Sequence, residues 1–226
     1  MTLAHRDLDE VADELDAVVT PETVAAFRPR FNIAPTDVHL LLRLAGHERH
    51  LDPALWGFKG RGKSPLLINA RAETVASRAA FRAAFGGQRC VVPADGFYEW
   101  SGQGADRQPF WIRRADGRLL LFAGLYEEDH AASPRSGLAI ATGLRFTVIT
   151  TSANTFMARL HDRMPVILDP ADVEAWLESG PGELLRPARE AALLATPASK
   201  RVNSVKNDDP ACLVPETSGR GQLPLF

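Results

Sequence analysis

Cysteine is scarce in this chain. Cys90 and Cys212 stand far apart among 226 residues, which excludes a disulfide framework and leaves no cysteine pair at metal-ligand spacing. A reducing, cytoplasmic setting is the natural expectation. Long apolar runs are also missing: none approaches the ~20 residues of a membrane span. The start, Met1-Thr2-Leu3-Ala4-His5-Arg6, lacks the charged-then-apolar pattern of a signal peptide. No phosphate-binding glycine loop, nucleophile elbow or HExxH motif occurs. His5, His39, His47, His50 and His130 share no spacing, so no metal or other cofactor is expected.

Charge of one sign is lacking overall, with a net of −2. Its distribution is uneven. Lys59, Arg61, Lys63, Arg71, Arg78, Arg82 and Arg89 fall in one segment against the single acid Glu73, giving +6 there and −8 elsewhere. A basic patch on an acidic body fits a nucleic-acid groove; a solvated helix face is the plainer alternative. Apolar residues make up 45% and charged residues 24%, enough for a real core.

The pattern predicts one α+β domain over residues 1–214, with a mostly antiparallel, barrel-like sheet, peripheral helices and an exposed tail at 215–226. An amphipathic helix is expected from Asp7 to Val19, capped by Asp7 and Glu10 and ended by Thr20-Pro21. Arg28 to Asp37 is a loop between prolines. Strands are expected at Val38–Arg43, up to Trp56, at Leu66–Ala70, Cys90–Pro93, Phe97–Trp100, Arg145–Thr151 and Met164–Leu168. Pro109–Arg113 and Leu119–Tyr126 form a predicted hairpin across Ala115-Asp116-Gly117. A short helix is expected at Ser77–Phe85, another after Asp169-Pro170, and a Leu/Ala helix beyond Gly182.

Four features could carry chemistry. Glu99 lies between aromatics, where desolvation raises a carboxyl pKa toward the range useful for proton transfer; an edge-strand glutamate facing water is the simpler reading. His161, in Leu-His-Asp-Arg-Met-Pro, could pass protons near neutral pH, or merely cap or pack. Asn69 and Arg71 alternate along a strand and so share a face. An asparagine can position an amine and an arginine can clamp a phosphate, although both could be ordinary surface groups.

Five blocks in one order are more specific than any of these alone. They are R-F-N-I-A-P-T from Arg30, L-I-N-A-R-A-E-T from Leu67, C-V-V-P-A-D-G-F-Y-E-W from Cys90, L-H-D-R-M-P-V-I-L from Leu160 and V-N-S-V-K-N-D from Val202. Together they resemble the SOS-response-associated peptidase family from about Thr2 to Asp209. The resemblance implies a protein that binds single-stranded DNA and traps abasic sites. The family's nucleophile is a cysteine made N-terminal by removal of Met. Its amine forms a Schiff base with the sugar aldehyde, and its thiol closes a thiazolidine. By the same resemblance Asn69 holds the amine, Glu99 is the acid/base, and His161 assists ring opening. Arg71 and Arg163 contact phosphates, Asn32 and Pro35 shape the pocket wall, and Trp56 offers a stacking surface. The peptidase label reflects processing of the family's own N-terminus.

The chain departs from that pattern twice. The family begins Met-Cys-Gly-Arg, and Met1 falls where its fifth residue stands. A start assigned four residues late, or a trimmed chain, is favoured over a divergent member that binds DNA without crosslinking. Starting at Met1, the chain is expected to lack the nucleophile. After Trp56-Gly57, the family's Pro and second Trp are replaced by Lys59, Arg61 and Lys63, which favours phosphate attraction over base wedging. The expected partner is abasic single-stranded DNA and the expected state a monomer. Alternatives are a non-covalent DNA-binding module and an abasic-site lyase. The end, Gln222-Leu223-Pro224-Leu225-Phe226, resembles the peptide by which repair proteins dock on the DNA polymerase sliding clamp, with Gln222, Leu223, Leu225 and Phe226 as anchors.

Overall fold

The computed structural model describes residues 1–60, 65–102, 104, 107–129 and 143–215. Strands β2 (Val38–Ala45) and β3 (Glu48–Trp56) form a hairpin turned at Gly46. Gly46 has φ of 68°, a backbone state without penalty only for glycine. β2 also pairs with β5 (Arg89–Ala94), β5 with β8 (Leu120–Glu128), and β8 with β9 (Leu144–Ser152), all antiparallel. β9 then meets β3 in parallel through Leu55↔Arg145 and Trp56↔Phe146. The sheet curls back on itself, yet it is not a strict barrel. Its closing contact is two residue pairs long, and β1 (Val18–Val19), β4 (Asn69–Arg71) and β10 (Arg163–Pro165) add along β3 and β9. A second sheet runs β11 (Leu193–Pro197), β7 (Gln108–Arg114), β6 (Phe97–Ser101).

The central strands are near-continuous apolar runs because both of their faces are covered. Leu40 to Leu42, Val91, Val92, Leu120 to Ala123, Phe146 and Ile149 are all buried. Helices are short and peripheral: α1 (Leu8–Leu15), α2 (Pro21–Ala26), α3 (Arg82–Gly87) and α4 (Val173–Glu178). Among the described residues no helix is long and apolar enough to cross a membrane. The fold is therefore mixed α+β.

Several local expectations need correction. The Asp7–Glu10 capping box forms, but α1 ends at Leu15 because Asp16 turns left-handed and Val18-Val19 pair with β3. Thr20-Pro21 starts α2 rather than ending α1: the Thr20 hydroxyl accepts from the Thr23 N–H, and Pro21 takes the first helical position. Residues 72–81 form successive turns, so α3 begins only at Arg82. β7 and β8 are strands but not a hairpin; each pairs in a different sheet. The turn between them, tied by Arg114 and Arg118 to Asp116 at 2.6 and 3.0 Å, carries the chain from one sheet to the other. The Leu/Ala helix after Gly182 is absent. Leu193 is buried and Leu194 exposed, the alternation of a strand, and β11 pairs with β7. Residues 130–142, Arg61, Lys63 and the tail beyond 215 lie outside the described residues.

The first three residues are seated as an inner strand. Met1 and Ile33 exchange main-chain bonds at 2.8 Å each, and Leu3 and Arg30 do so at 2.9 Å. Thr2 bonds the other way, its N–H to Gly96 O at 2.8 Å and its O to the Asp95 N–H at 3.0 Å. The Asp95 carboxylate accepts from the Thr2 hydroxyl and from the Ala4 and His5 N–H groups. Trp111 packs against Gly96, where a Cβ would lie 1.9 Å from Nε1. Overpacking of this kind costs about 1–3 kcal/mol. Gly96→Ala is therefore expected to lower the unfolding free energy by at least that much in urea denaturation; an unchanged midpoint would contradict this seating.

Candidate functional site

One cleft of about 910 Å³ collects most of the residues singled out in the sequence. Met1, Asn32, Pro35, Trp56, Asn69, Arg71, Glu99, His161 and Arg163 all line it. The cleft lies where the two sheets face each other. Its first wall is β4 with the neighbouring parts of β9 and β10; its second is β6 with residues 202–205. Lys59 is exposed outside it, its N–H donating to Glu127 Oε1 at 2.7 Å.

β4 places Asn69 and Arg71 outward on one face, with Ala70 buried between them. The strand is short but fixed by parallel pairing of Asn69 to Val148 and Arg71 to Thr150. Asn32 is buried and faces away from solvent chemistry. Its side-chain amide donates to Val202 O, Ser204 O and Asn207 O at 3.2, 3.2 and 3.0 Å. Arg30 bridges Asp37 and Asp208, and Asp208 also accepts from the Phe31 and Asn32 N–H groups. The Arg30 and Val202 blocks are thus one folded unit. Trp56 is half-buried, stacks on Phe146 with ring planes 10° apart, and donates Nε1–H to Ile68 O at 2.9 Å. It is wall and core at once.

Glu99 is half-buried at the centre of β6, opposite Phe110. Burial raises its carboxyl above the ordinary glutamate range; the His161 charge, the Trp100 N–H and Arg107 oppose the rise, and Asp162 adds to it. His161 is exposed. The Arg163 N–H points at its Nδ1 at 2.9 Å, and the same nitrogen lies 3.2 Å from Arg163 O. Asp162 Oδ1 lies 3.0 Å from the same Nδ1.

Arg163 is engaged more fully than an open phosphate ligand. Its guanidinium meets both Glu73 oxygens at 2.6 and 3.0 Å and Thr150 O at 2.6 Å, and its Nε is buried without a partner among the described residues. Glu73 is correspondingly held below its usual range, chiefly by that Arg163 bond. Sequence reasoning missed Arg78, Trp100, Arg107, Asn203 and Val205 as cleft residues. Trp100 and Asn203 belong to blocks already marked, and their contact, Trp100 Nε1–H to Asn203 Oδ1 at 2.7 Å, joins those blocks. Arg107 carried no sequence signal. Among the described residues no cluster could hold a metal ion. Cys90 and Cys212 are buried away from the cleft, and burial pushes the Cys90 thiol up.

The sequence profile described as SOS response associated peptidase (SRAP) matches residues 1–205. The chain belongs to the SRAP family. It is 32% identical to the abasic site processing protein YedK of Escherichia coli over 89% of this chain and 90% of that one. It is 36% identical to the abasic site processing protein YoaM of Bacillus subtilis, over 80% and 83%, and 33% identical to the abasic site processing protein HMCES of Gallus gallus, over 84% and 67%. A crystal structure of a phage-related protein from Bordetella bronchiseptica superimposes with a TM-score of 0.67 at 29% identity, covering 88% of this chain and 94% of that one.

The raised Glu99 carboxyl has a stability consequence. The folded state holds its proton more tightly than the unfolded chain does, so ionisation weakens the fold as pH rises from the ordinary glutamate pKa of about 4.3 through the folded value. Glu99→Gln is expected to unfold at higher temperature than wild type at pH 7, and the advantage should vanish below about pH 4. Equal melting temperatures at both pH values would count against a desolvated carboxyl.

Proposed function

We propose that this chain binds abasic single-stranded DNA in the cleft and, when an N-terminal cysteine precedes Met1 in the family's manner, closes a thiazolidine on the open-ring sugar. The observation that carries the reading is the meeting of Asn69, Glu99 and His161 with Met1 in a cleft lined also by Arg71, Arg78, Arg107 and Arg163. With Arg163 tied to Glu73, the three remaining cations against one carboxylate favour a polyanion. The relatives named abasic site processing proteins point to the same lesion.

The chemistry follows from the groups. An amine adds to the aldehyde carbon, and a proton from Glu99 lets the carbinolamine oxygen leave as water, giving the imine. The cysteine thiol then adds to the imine carbon, and its proton passes to the nitrogen. A carboxyl raised by burial suits both directions of that transfer. Asn69 holds the amine through its side-chain oxygen, and His161 assists ring opening.

The position of Met1 among the cleft residues supports this role. In the chain beginning at Met1, burial lowers the α-amine to about 5, and the amine donates to Ile33 O at 2.8 Å. A peptide N–H makes the same bond, so an extension is accommodated without loss. Once the family's Met is removed, three further residues precede Met1 and span up to roughly 10 Å. Two buried free cysteines fit a cytoplasmic setting.

Incubation with abasic single-stranded DNA followed by a denaturing gel tests the reading. The chain extended by Met-Cys-Gly-Arg is expected to give a heat-stable crosslink, and the chain starting at Met1 none. In the extended chain Glu99→Gln should slow crosslinking by roughly 10² or more. Failure of the extended chain to crosslink, or a stable adduct from the unextended one, would refute this account; strand scission without an adduct would favour a lyase.

A further inference from the structure

The two walls of the cleft differ in charge. On the first, Arg71 and Arg78 are exposed, while Arg163 is tied to Glu73. On the second stand Phe97, Tyr98, Glu99, Trp100, Val202, Asn203 and Val205, whose only formal charge is the carboxylate of Glu99. A polyanion lying against that wall would meet repulsion and apolar surface. Arg107 changes this. It directly precedes β7, is exposed, lines the cleft, and holds its Cζ 5.6 Å from the centre of the Trp100 ring.

We propose that Arg107 is a phosphate-binding residue of the second wall, gripping the DNA backbone from the side opposite Arg71 and Arg78. The proposal rests on the reading of the cleft as a single-stranded DNA site. Three observations carry it. A guanidinium held over an indole is oriented by the ring face while its edge donors remain available for a phosphate oxygen. No carboxylate among the described residues pairs with Arg107, unlike Arg163, so its charge is uncompensated there. It lines the same cleft as Glu99, and its charge favours the carboxylate form there. With Arg107 present, both walls attract the strand, and the Glu99 charge is offset where the strand passes.

The test measures binding of the chain to abasic single-stranded DNA as a function of salt, for wild type, Arg107→Ala, Arg107→Lys and Arg82→Ala. Arg82 is an exposed arginine of α3 that does not line the cleft, so it controls for net charge. Arg107→Ala is expected to weaken binding about tenfold and to reduce the slope of log K against log salt by about 0.7, the value of one phosphate contact on a single strand. Arg107→Lys should keep most of the slope, and Arg82→Ala all of it. In parallel, the Glu99 carboxyl followed by NMR should titrate higher in Arg107→Ala than in wild type and unchanged in Arg82→Ala. A wild type that does not bind single-stranded DNA overturns the functional reading, and this proposal with it. A wild type that binds, with Arg107→Ala keeping the full slope or Arg82→Ala losing as much, overturns this proposal alone.

Discussion

Six main-chain hydrogen bonds around residues 1–3 set the geometry on which the site depends. Successive residues of an extended chain present their donors and acceptors to opposite edges. Met1 and Leu3 therefore bond residues 30–33, and Thr2 bonds 95–96. Neither of those partner segments lies in one of the two sheets, and the strand between them ties one to the other. Asp95 adds side-chain bonds to the same strand, and Arg30 links the far side to Asp37 and Asp208. The start of the chain is consequently a structural element, and the end of β5, the start of β6 and the 202–208 segment take their positions relative to it.

That arrangement accounts for how a carboxylate comes to sit in a cationic cleft. β6 belongs to the small sheet and β4 to the large one, so Glu99 and Asn69 approach from different sheets across a shared gap. A glutamate in either sheet alone would face core or water. In the gap it loses part of its hydration without being sealed off, which raises its pKa while leaving it reachable. Arg107 and the His161 charge favour its ionised form, and a polyanion drawn to the arginines would disfavour it.

Much of the site was legible because it lies in short blocks whose residue types are unusual together. The Asn-Ala-Arg alternation predicted a shared outward face, and β4 has it. Aromatic neighbours around Glu99 predicted desolvation, and burial does raise its pKa. Convergence itself was not legible from any block, since residues 69, 99 and 161 are brought together only by strand pairing. The errors have the same origin. A strand-turn-strand pattern at Pro109–Tyr126 reads as a hairpin, because sequence shows which segments are extended but not which partner each takes. Leu193-Leu194 reads as helix by composition, yet the free edge of β7 captures it; tertiary pairing overrides propensity. Arg107 stands outside every block, and only the fold brings it to Trp100.

Arg163 shows why residue type and family position do not by themselves assign a role. An arginine beside the histidine suggests a phosphate clamp, but its guanidinium already joins β10 to β9 through Thr150 and to the turn after β4 through Glu73. The same residue's main-chain N–H fixes His161 Nδ1. Its side chain therefore braces the first wall, keeping Asn69, Arg71 and the His161 ring in register with one another. Among the described residues Arg71 and Arg78 on one side and Arg107 on the other have no carboxylate partner, so an anion reaching them would not first have to break an internal ion pair like that of Arg163 and Glu73.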